Sequence, residues 1–325
     1  MLQLYPLKFV PILKDKLWGG SKMAQLHIAD DATDETGEAW ILSGVDGDET
    51  VVANGFLADN TINELIEIYM EELVGEKNFE LFETEFPLLY KLIDANADLS
   101  IQVHPDDDMA LERHGCKGKS EMWYVMDASK DAEIILGFNQ EMTQPKFLEH
   151  LDTKTLPDIM ARQPVHVGDT YYIPAGTIHA IRKGVFLAEI QQTSDITYRV
   201  WDWDRLDENG QSRELHLDEA LGAINYQARN DGATRAQALV NGTSSLVKSP
   251  YFHTNEIILT QAIEKNYADL DAFVTLFCVK GQGTIVANGE SVDIKTGELV
   301  LIPANMNIVQ IFPTNSIRLL ETYIL

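Results

Sequence analysis

The chain contains little cysteine and no long apolar segment. Only two of its 325 residues are cysteine, and Cys116 and Cys278 lie in unrelated sequence contexts, which argues against a cysteine-based metal or redox motif. Free thiols are typical of proteins in a reducing compartment, so we expect a cytoplasmic location. No apolar run approaches the ~20 residues of a membrane-spanning helix, and the first residues lack the pattern of a signal peptide. We therefore expect no association with a membrane.

Positive charge is also scarce. Lys and Arg number 25 against 51 Asp and Glu, which gives a formal net charge of −26. Proteins that bind nucleic acid neutralise its phosphates with clustered Lys and Arg, so this balance argues against a nucleic-acid partner. A small anionic substrate is still compatible with it, because charges farther apart than ~8 Å are largely screened at physiological salt. A few local cations then determine the potential of one pocket.

The remaining composition is that of an ordinary globular protein. Hydrophobic residues make up 45% of the chain and charged residues 23%, and the length suffices for one large domain or two modest ones. Short apolar runs bounded by turn residues dominate the pattern, which predicts a mainly β fold. Residues 230–249 are small and polar and predict a linker. Further short strands follow it up to the C-terminus.

A segment of the first half of the chain recurs near its end. Residues 297–305 repeat residues 168–176 in outline, each as a glycine turn, a short apolar strand and a turn that begins Pro-Ala. The second copy has Ile308 at the position that His179 takes in the first. The repeat predicts an internal duplication, with chemistry in the first copy and a mainly structural second copy.

The linker and the repeat together predict two β-barrels. Residues 1–235 are expected to form a metal-binding catalytic domain that includes helical segments. Residues 236–325 are expected to form a smaller β domain without metal ligands.

Two segments predict helices. Apolar residues recur at helical spacing over residues 61–73, with Asp59 or Asn60 as the N-cap and Gly75 as the stop. The acidic run at residues 106–108 predicts the start of a short helix rather than a metal site, because carboxylates favour helix N-termini.

One stretch stands out for its polar face. Residues 99–107 predict a strand that stops at Pro105. Because strand side chains alternate, Ser100, Gln102 and His104 share one face and apolar residues occupy the other. A polar face that ends at a breaker is typical of a strand that borders a ligand cavity. The alternative is that Gln102 is a solvated edge residue and His104 a hydrogen-bonded core histidine.

Downstream residues favour the cavity. Glu121 and His179 come from two further strand segments, and a jelly-roll barrel can bring such side chains together with Gln102 and His104 at its mouth. Two imidazoles, a carboxylate and an amide oxygen form a nitrogen and oxygen ligand set without sulfur. Such a set suits Zn²⁺ and also Fe²⁺, Mn²⁺ or Co²⁺. We therefore predict a metal site.

Six motifs make the sequence recognisable. They are Trp-Gly-Gly at residues 18–20, Gly-Glu-Ala-Trp at 37–40, Ser-Ile-Gln-Val-His-Pro at 100–105, Gly-Lys-Ser-Glu-Met-Trp at 118–123, Pro-Ala-Gly-Thr-Ile-His at 174–179 and Asp-Ile-Thr-Tyr-Arg at 195–199. Over nearly its whole length the chain resembles the type I mannose-6-phosphate isomerases of the shorter bacterial kind, within the cupin superfamily. It departs from the longer members in two ways: it lacks their large helical insertion, and it has Ser120 where they tend to have proline.

The resemblance implies a fold and a reaction. The fold is a tandem of cupin (jelly-roll) barrels with a few helices packed on the first. The reaction is the interconversion of mannose 6-phosphate and fructose 6-phosphate through a cis-enediol, with one Zn²⁺ per chain. The partner is then a small sugar phosphate, and the protein is expected to be a monomer or a homodimer.

The resemblance also implies roles for individual residues. It places zinc on the residues that match the family's ligands, which are Gln102, His104, Glu121 and His179. It places active-site function on Lys119, Asp195 and Arg199.

The chemistry of these side chains agrees with that implication. Arg199 offers a planar, permanently charged group for a developing oxyanion. Lys119 lies two residues before Glu121, so it should face the same cavity and hold phosphate or polarise a hydroxyl. Ser100 is a second candidate for phosphate binding. The proton carrier stays open between Asp195, Glu121, a histidine and metal-bound water.

Several of these residues also have a purely structural interpretation. Asp195 and Arg199 have the alternative of a surface ion pair, which contributes little stability. Lys91 and Lys183 are expected to be solvated lysines. Two other functions fit the ligand set: a cupin-type non-haem metal oxygenase and a non-catalytic sugar-binding cupin.

Overall fold

The computed structural model describes residues 3–206, 209–229, 231–237 and 239–325. Its strands are β1 (Ile12–Asp15), β2 (Thr36–Leu42), β3 (Leu88–Ala95), β4 (Ile101–Val103), β5 (Glu121–Ala128), β6 (Glu133–Phe138), β7 (Met160–Pro164), β8 (Thr170–Ile173), β9 (His179–Ile181), β10 (Val185–Gln192), β11 (Tyr198–Trp201), β12 (Gly242–Lys248), β13 (His253–Leu259), β14 (Ile263–Asn266), β15 (Val274–Ala287), β16 (Glu290–Lys295), β17 (Leu299–Ile302) and β18 (Ile308–Tyr323). Its α-helices are α1 (Lys22–Gln25), α2 (Ile62–Tyr69), α3 (Glu71–Val74), α4 (Glu76–Phe82), α5 (Asp107–His114), α6 (Gln144–Asp152) and α7 (Leu217–Ala223). None of these helices is long and apolar enough to cross a membrane.

The described strands form three antiparallel sheets. The first sheet has the order β1-β2-β3-β10-β5-β8 and the second β11-β4-β9-β6-β7. The third contains β12-β13-β18-β15-β16, with β14 paired to β18 and β17 paired to β15. The predicted mainly β fold is confirmed.

Apolar layers hold the sheets together. Trp123 of β5, Leu136 of β6 and Leu187 of β10 lie in one buried cluster, which fills the space between the first and second sheets. The outer face of the second sheet forms another cluster, in which Phe147 of α6 and Ala220 of α7 cover the strands. The third sheet packs against the other face of the first sheet in the largest cluster. All eight residues of β3 are buried, as expected of a strand covered on both faces.

The internal repeat is visible in the backbone. Gly168 before β8 has φ +91°, and Gly297 before β17 has φ +89°. Both turns therefore use the left-handed region that glycine adopts without steric cost. His179 begins β9 in the first copy, whereas its counterpart Ile308 begins β18 and is exposed. The two turns are therefore alike in the backbone, whereas the duplication and the domain boundary at residue 235 stay predictions.

The predicted linker is wrong over part of its length. Residues 242–248 form β12, which lies at the edge of the third sheet beside β13. Of its residues, only Leu246 and Val247 are buried. An edge strand with one covered end needs few apolar side chains, which explains why its composition resembles a linker. Asn230 and Ala238, which fall in the same predicted segment, lie outside the described residues.

The helix predicted over residues 61–73 is broken. Met70 has φ +49° and separates α2 from α3. The N-cap is Thr61, not Asp59 or Asn60: its side chain accepts from the Glu64 backbone N–H, and the Glu64 carboxylate accepts from the Thr61 N–H. This reciprocal pair is a capping box, whose signal lies one residue later than the predicted cap.

The other helix-start prediction is confirmed. The Asp106 side chain accepts from the Met109 backbone N–H at the start of α5. The side-chain alternation predicted for the preceding strand, β4, is also observed. Its apolar residues Ile101 and Val103 belong to the cluster on the outer face of the second sheet. The polar face of β4 consequently points to the space between the two sheets.

Candidate active site

Three predicted ligands meet at the end of the layer between the first two sheets. The ligand atoms of His104, Glu121 and His179 all lie within 4.8 Å of one another, and all three residues are buried. His104 follows β4, Glu121 begins β5 and His179 begins β9. The jelly-roll pairing therefore brings together residues that are up to 75 positions apart.

Gln102 completes the set. It lies directly opposite His179 in the register of β4 and β9, and its side-chain amide is 3.3 Å from His179 Nε2. Ser100, on the same face of β4, donates a hydrogen bond to Gln102 Oε1 at 3.4 Å. All four predicted ligands thus lie at one place.

Backbone carbonyls orient both imidazoles. His104 Nδ1 lies 2.9 Å from the Ile196 carbonyl oxygen and His179 Nδ1 lies 2.8 Å from that of Thr177, so each Nδ1–H donates outward. Each Nε2 is then directed towards the shared site, an arrangement typical of metal-binding histidines. Burial lowers the pKa of His104 well below its usual value and that of His179 to about 4. Both rings are neutral at neutral pH, as metal ligation requires.

Glu121 supplies the negative charge of the set. Its Oε1 is buried and has no hydrogen-bond partner among the described residues. Burial, together with the nearby charge of Glu189, raises the pKa of the Glu121 carboxyl. The Lys119 ammonium contacts Glu121 Oε2 and lies 3.3 Å from His104 Nε2, so a cation is already in contact with these donors.

These observations fit a divalent metal ion. A buried carboxylate oxygen without a donor costs free energy that a cation offsets. Two neutral imidazoles whose Nε2 atoms face the shared site, one carboxylate and one amide form a nitrogen and oxygen donor set that suits zinc and related metals.

A cavity of about 290 Å³ adjoins the donor set. Its lining residues are Lys14, Lys16, Trp18, Glu38, Trp40, Asp48, Lys91, Ile93, Leu99, Ser100, Gln102, Lys119, Ile181, Glu189, Asp195, Thr197, Arg199 and Arg213. Two of these lining residues connect the cavity to the donor set: Gln102 is itself one of the four predicted ligands, and Lys119 contacts Glu121. The predicted residues Ser100, Lys119, Asp195 and Arg199 therefore face one space. Six of the lining side chains are Lys or Arg, in a chain whose net charge is strongly negative.

Arg199 projects from β11 into this cavity. It lies opposite Gln102 in the register of β11 and β4. Its Nη1 donates to the Glu214 carbonyl oxygen at 2.7 Å, and its buried Nε has no hydrogen-bond partner among the described residues. The surface ion pair with Asp195 is not observed among the described ion pairs, although both side chains line the cavity.

A row of polar side chains on the first sheet was missed in the sequence. Trp40 on β2, Lys91 on β3, Glu189 on β10 and Trp123 on β5 are consecutive cross-strand neighbours. Lys91 Nζ is 3.5 Å from Glu189 Oε1 and 4.8 Å from the centre of the Trp40 ring. Trp123 Nε1 donates to Glu189 Oε2 at 2.9 Å.

The prediction that Lys91 is a solvated lysine is wrong. Lys91 is 6% exposed and faces the cavity. A charged residue in the middle of a mostly apolar, fully buried strand was the available signal, and Glu189 in β10 carries the same signal. Lys183, by contrast, is exposed as predicted.

Comparison with known families identifies the group to which the chain belongs. The model of the type I phosphomannose isomerase catalytic domain matches residues 6–146, and that of the mannose-6-phosphate isomerase cupin domain matches residues 242–319. The chain belongs to the type I phosphomannose isomerase family. Gln102, His104 and Glu121 fall inside the segment that matches the catalytic-domain model. His179 and Arg199 lie between the two matched segments.

Individual phosphomannose isomerases are similar along nearly the whole chain. The mannose-6-phosphate isomerase ManA of Bacillus subtilis is 34% identical over 92% of this chain and 93% of its own. The mannose-6-phosphate isomerase of Streptococcus mutans is 33% identical over 92% of each chain. The crystal structure of a Bacillus subtilis mannose 6-phosphate isomerase superposes with a TM-score of 0.88 at 32% identity, covering 99% of this chain and 100% of that one.

Proposed function

We propose that this protein is a zinc-dependent aldose–ketose isomerase that interconverts mannose 6-phosphate and fructose 6-phosphate. One observation carries the proposal: a buried set of two imidazoles, a carboxylate and an amide adjoins a cavity rich in cations. Family membership supplies the reaction class, because the curated relatives are named for this isomerisation. The cations suit a phosphorylated sugar better than a neutral one.

The proposed reaction moves one proton between neighbouring carbons. The C2 hydrogen of the open-chain aldose leaves as a proton, and its electron pair becomes the C1–C2 double bond while the C1=O π pair moves to O1, which takes up a proton to give a cis-enediol. A proton then returns to C1, and the O2 hydroxyl loses its proton as the ketone forms at C2. No electron is gained or lost overall, so the reaction needs carbonyl polarisation and proton transfer but no redox cofactor.

In this proposal Gln102, His104, Glu121 and His179 hold one zinc ion, which when bound supplies Lewis-acid polarisation of the sugar's carbonyl oxygen. Zinc fits a reaction without redox change, since it has a single stable oxidation state in proteins. The two carbonyl-bound imidazoles fix the direction of their Nε2 atoms.

Three side chains of the cavity are proposed to act on the substrate. Arg199, directly across from Gln102, stabilises the negative charge that develops on the enediolate. Lys119, held between Glu121 and Glu189, polarises a substrate hydroxyl or contacts the phosphate. The Asp195 carboxylate lines the same cavity and is the proposed proton carrier.

Conversion of mannose 6-phosphate is the expected result when the zinc-loaded protein is followed by ³¹P NMR. We expect the fructose 6-phosphate signal to grow until both sugar phosphates reach a constant ratio, starting from either one. Dissolved oxygen, recorded in the same sample, should stay constant because the reaction consumes none.

The same experiment separates the two alternatives. Oxygen uptake without fructose 6-phosphate would favour a non-haem oxygenase, whose ligand set resembles this one. Binding of mannose 6-phosphate with no new signal would favour a non-catalytic sugar-binding protein. Either result would contradict the proposed isomerase.

A further inference from the structure

Three of the four proposed zinc ligands lie where a strand meets a connecting segment. His104 follows β4, Glu121 begins β5 and His179 begins β9. Connecting segments are in general more mobile than the strands they join, whereas a metal ion requires its ligands at fixed separations. Contacts between the three connecting segments therefore bear directly on metal binding.

Ser120 joins the segment of Glu121 to that of His179. It is buried and immediately precedes Glu121. Its hydroxyl oxygen accepts from the backbone N–H of Ala175, which lies between β8 and His179, at 3.2 Å. Its own backbone N–H donates to Gln192 Oε1 at 2.8 Å. One residue thus contacts both the segment before β9 and the end of β10.

Gln192 extends these contacts to the segment that follows His104. Its Nε2 donates to Asp107 Oδ1 at 2.9 Å, and the same oxygen accepts from the Gly118 backbone N–H at 2.9 Å. Asp107 begins α5, shortly after His104 in the chain. Both ends of the buried Gln192 amide are therefore hydrogen-bonded, as is usual for a buried amide.

Asp107, Gln192 and Ser120 together are named the positioning network. The cavity lining formed by the described residues includes none of the three. A backbone hydrogen bond from the Gly176 N–H to the His104 carbonyl, at 2.9 Å, also joins two of the connecting segments. The network adds side-chain contacts to it, and its effect on the reaction passes through the ligands rather than through contact with the sugar.

We propose that the positioning network holds the segments of His104, Glu121 and His179 at the separations that one zinc ion requires. Its members are positioning residues, because they act through the ligands. This role rests on the proposed function, which places zinc on these side chains. The Gln192 amide is the centre of the network, since it contacts both other members.

Replacing Gln192 by leucine tests the network. Leucine has a similar volume but no amide, so both hydrogen bonds are lost. We expect the metal-free variant to bind zinc roughly 10- to 100-fold more weakly than the wild type, the usual effect of losing a contact that orients metal ligands. Competition with a chromogenic zinc chelator measures this affinity without turnover. At saturating zinc, kcat should fall while the KM for mannose 6-phosphate stays at the wild-type value, because the network does not line the cavity.

Asn78→Leu is the matched control for this substitution. Asn78 is also buried, and its side-chain amide donates to the Val74 carbonyl oxygen at 3.0 Å. It lies in α4, outside the cavity. We expect this variant to lose thermal stability, because a buried hydrogen bond is lost, and to bind zinc as the wild type does.

Two substitutions of Asp107 provide a second test. Asp107→Asn keeps an oxygen acceptor, whereas Asp107→Ala does not. Both remove the negative charge from the first turn of α5, so their comparison isolates the acceptor. We expect Asp107→Ala to weaken zinc binding as Gln192→Leu does, and Asp107→Asn to retain the wild-type affinity. This pair also tests the network if Gln192→Leu does not fold.

The outcomes distinguish the network from the proposed function. Equal zinc affinity of Gln192→Leu and the wild type would overturn the positioning role, and so would an equal loss in Asn78→Leu. Equally weak binding by both Asp107 variants would overturn it too, since the acceptor would then have no effect. In each of these cases, a wild type that binds zinc and isomerises mannose 6-phosphate leaves the proposed function intact. Absence of zinc binding by the wild type would instead contradict the proposed metal site itself.

Discussion

Replacing Glu121 by glutamine is expected to remove bound metal and to lower kcat by at least about 10³-fold, which corresponds to about 4 kcal/mol of transition-state stabilisation. Glutamine has nearly the same shape, so the change removes the negative charge of the donor set and little else. Glu121 is the one carboxylate among the four proposed ligands, and its Oε1 has no hydrogen-bond partner among the described residues. Metal content by mass spectrometry and turnover by a coupled fructose 6-phosphate assay measure the two effects.

Glu321→Gln is the matched control for this substitution. Glu321 is 2% exposed and pairs with Lys265 at 2.9 Å, much as Glu121 pairs with Lys119. It lies on β18 in the third sheet, outside the cavity. We expect this variant to lose some stability but to keep its zinc and its turnover. Full activity of metal-free Glu121→Gln, or an equal loss in both variants, would contradict the proposed metal site.

Replacing Arg199 by alanine is expected to lower kcat by at least about 10²-fold, because a preorganised donor to the developing enediolate is lost. The guanidinium is already oriented by the Glu214 carbonyl, and its buried Nε lacks a partner among the described residues. An interaction made mainly in the transition state lowers kcat and kcat/KM together. Steady-state kinetics with mannose 6-phosphate measure both quantities.

Arg199→Lys refines the test. Lysine keeps the positive charge but not the planar, paired N–H donors, so we expect its kcat to lie between those of the wild type and Arg199→Ala. Near-normal turnover of the alanine variant would remove Arg199 from the mechanism. A rise confined to KM would instead make Arg199 a substrate-binding residue.

The polar face of β4 was the part of the site most accessible from sequence. A period of two places Ser100, Gln102 and His104 on one face whatever the rest of the fold does, and Pro105 marks where the strand stops. Glu121 and His179 could be added because each adjoins a strand and a turn of its own. The structure brings the four together, as expected of strands that meet at one end of a barrel.

The opposite wall of the cavity could not be predicted in the same way. Lys91 and Glu189 are 98 residues apart, and only the register of β3 and β10 makes them neighbours. Each is a charged residue with apolar neighbours on both sides in its strand, and the sequence does not say which sheet face borders a cavity. Propensity alone favours solvent for such a lysine, whereas the fold encloses it between Glu189 and Trp40.

Arg213 illustrates a second limit. It belongs to a stretch without a strand or helix of its own, so no periodicity assigns it a face. Its position depends on an ion pair with Asp202 and on the hydrogen bond that joins the nearby His216 to Arg199, which are tertiary contacts. Similarly, β12 looked like a linker because an edge strand needs few buried side chains.

Metal titration of the stripped protein tests the central claim most directly. The protein is freed of metal with a chelator, zinc is added back in steps, and the isomerisation of mannose 6-phosphate is measured at each step. We expect no turnover without metal and full turnover at one zinc ion per chain, with no such recovery in Glu121→Gln. Undiminished isomerisation by the metal-free protein would contradict the claim that this donor set holds a catalytic metal.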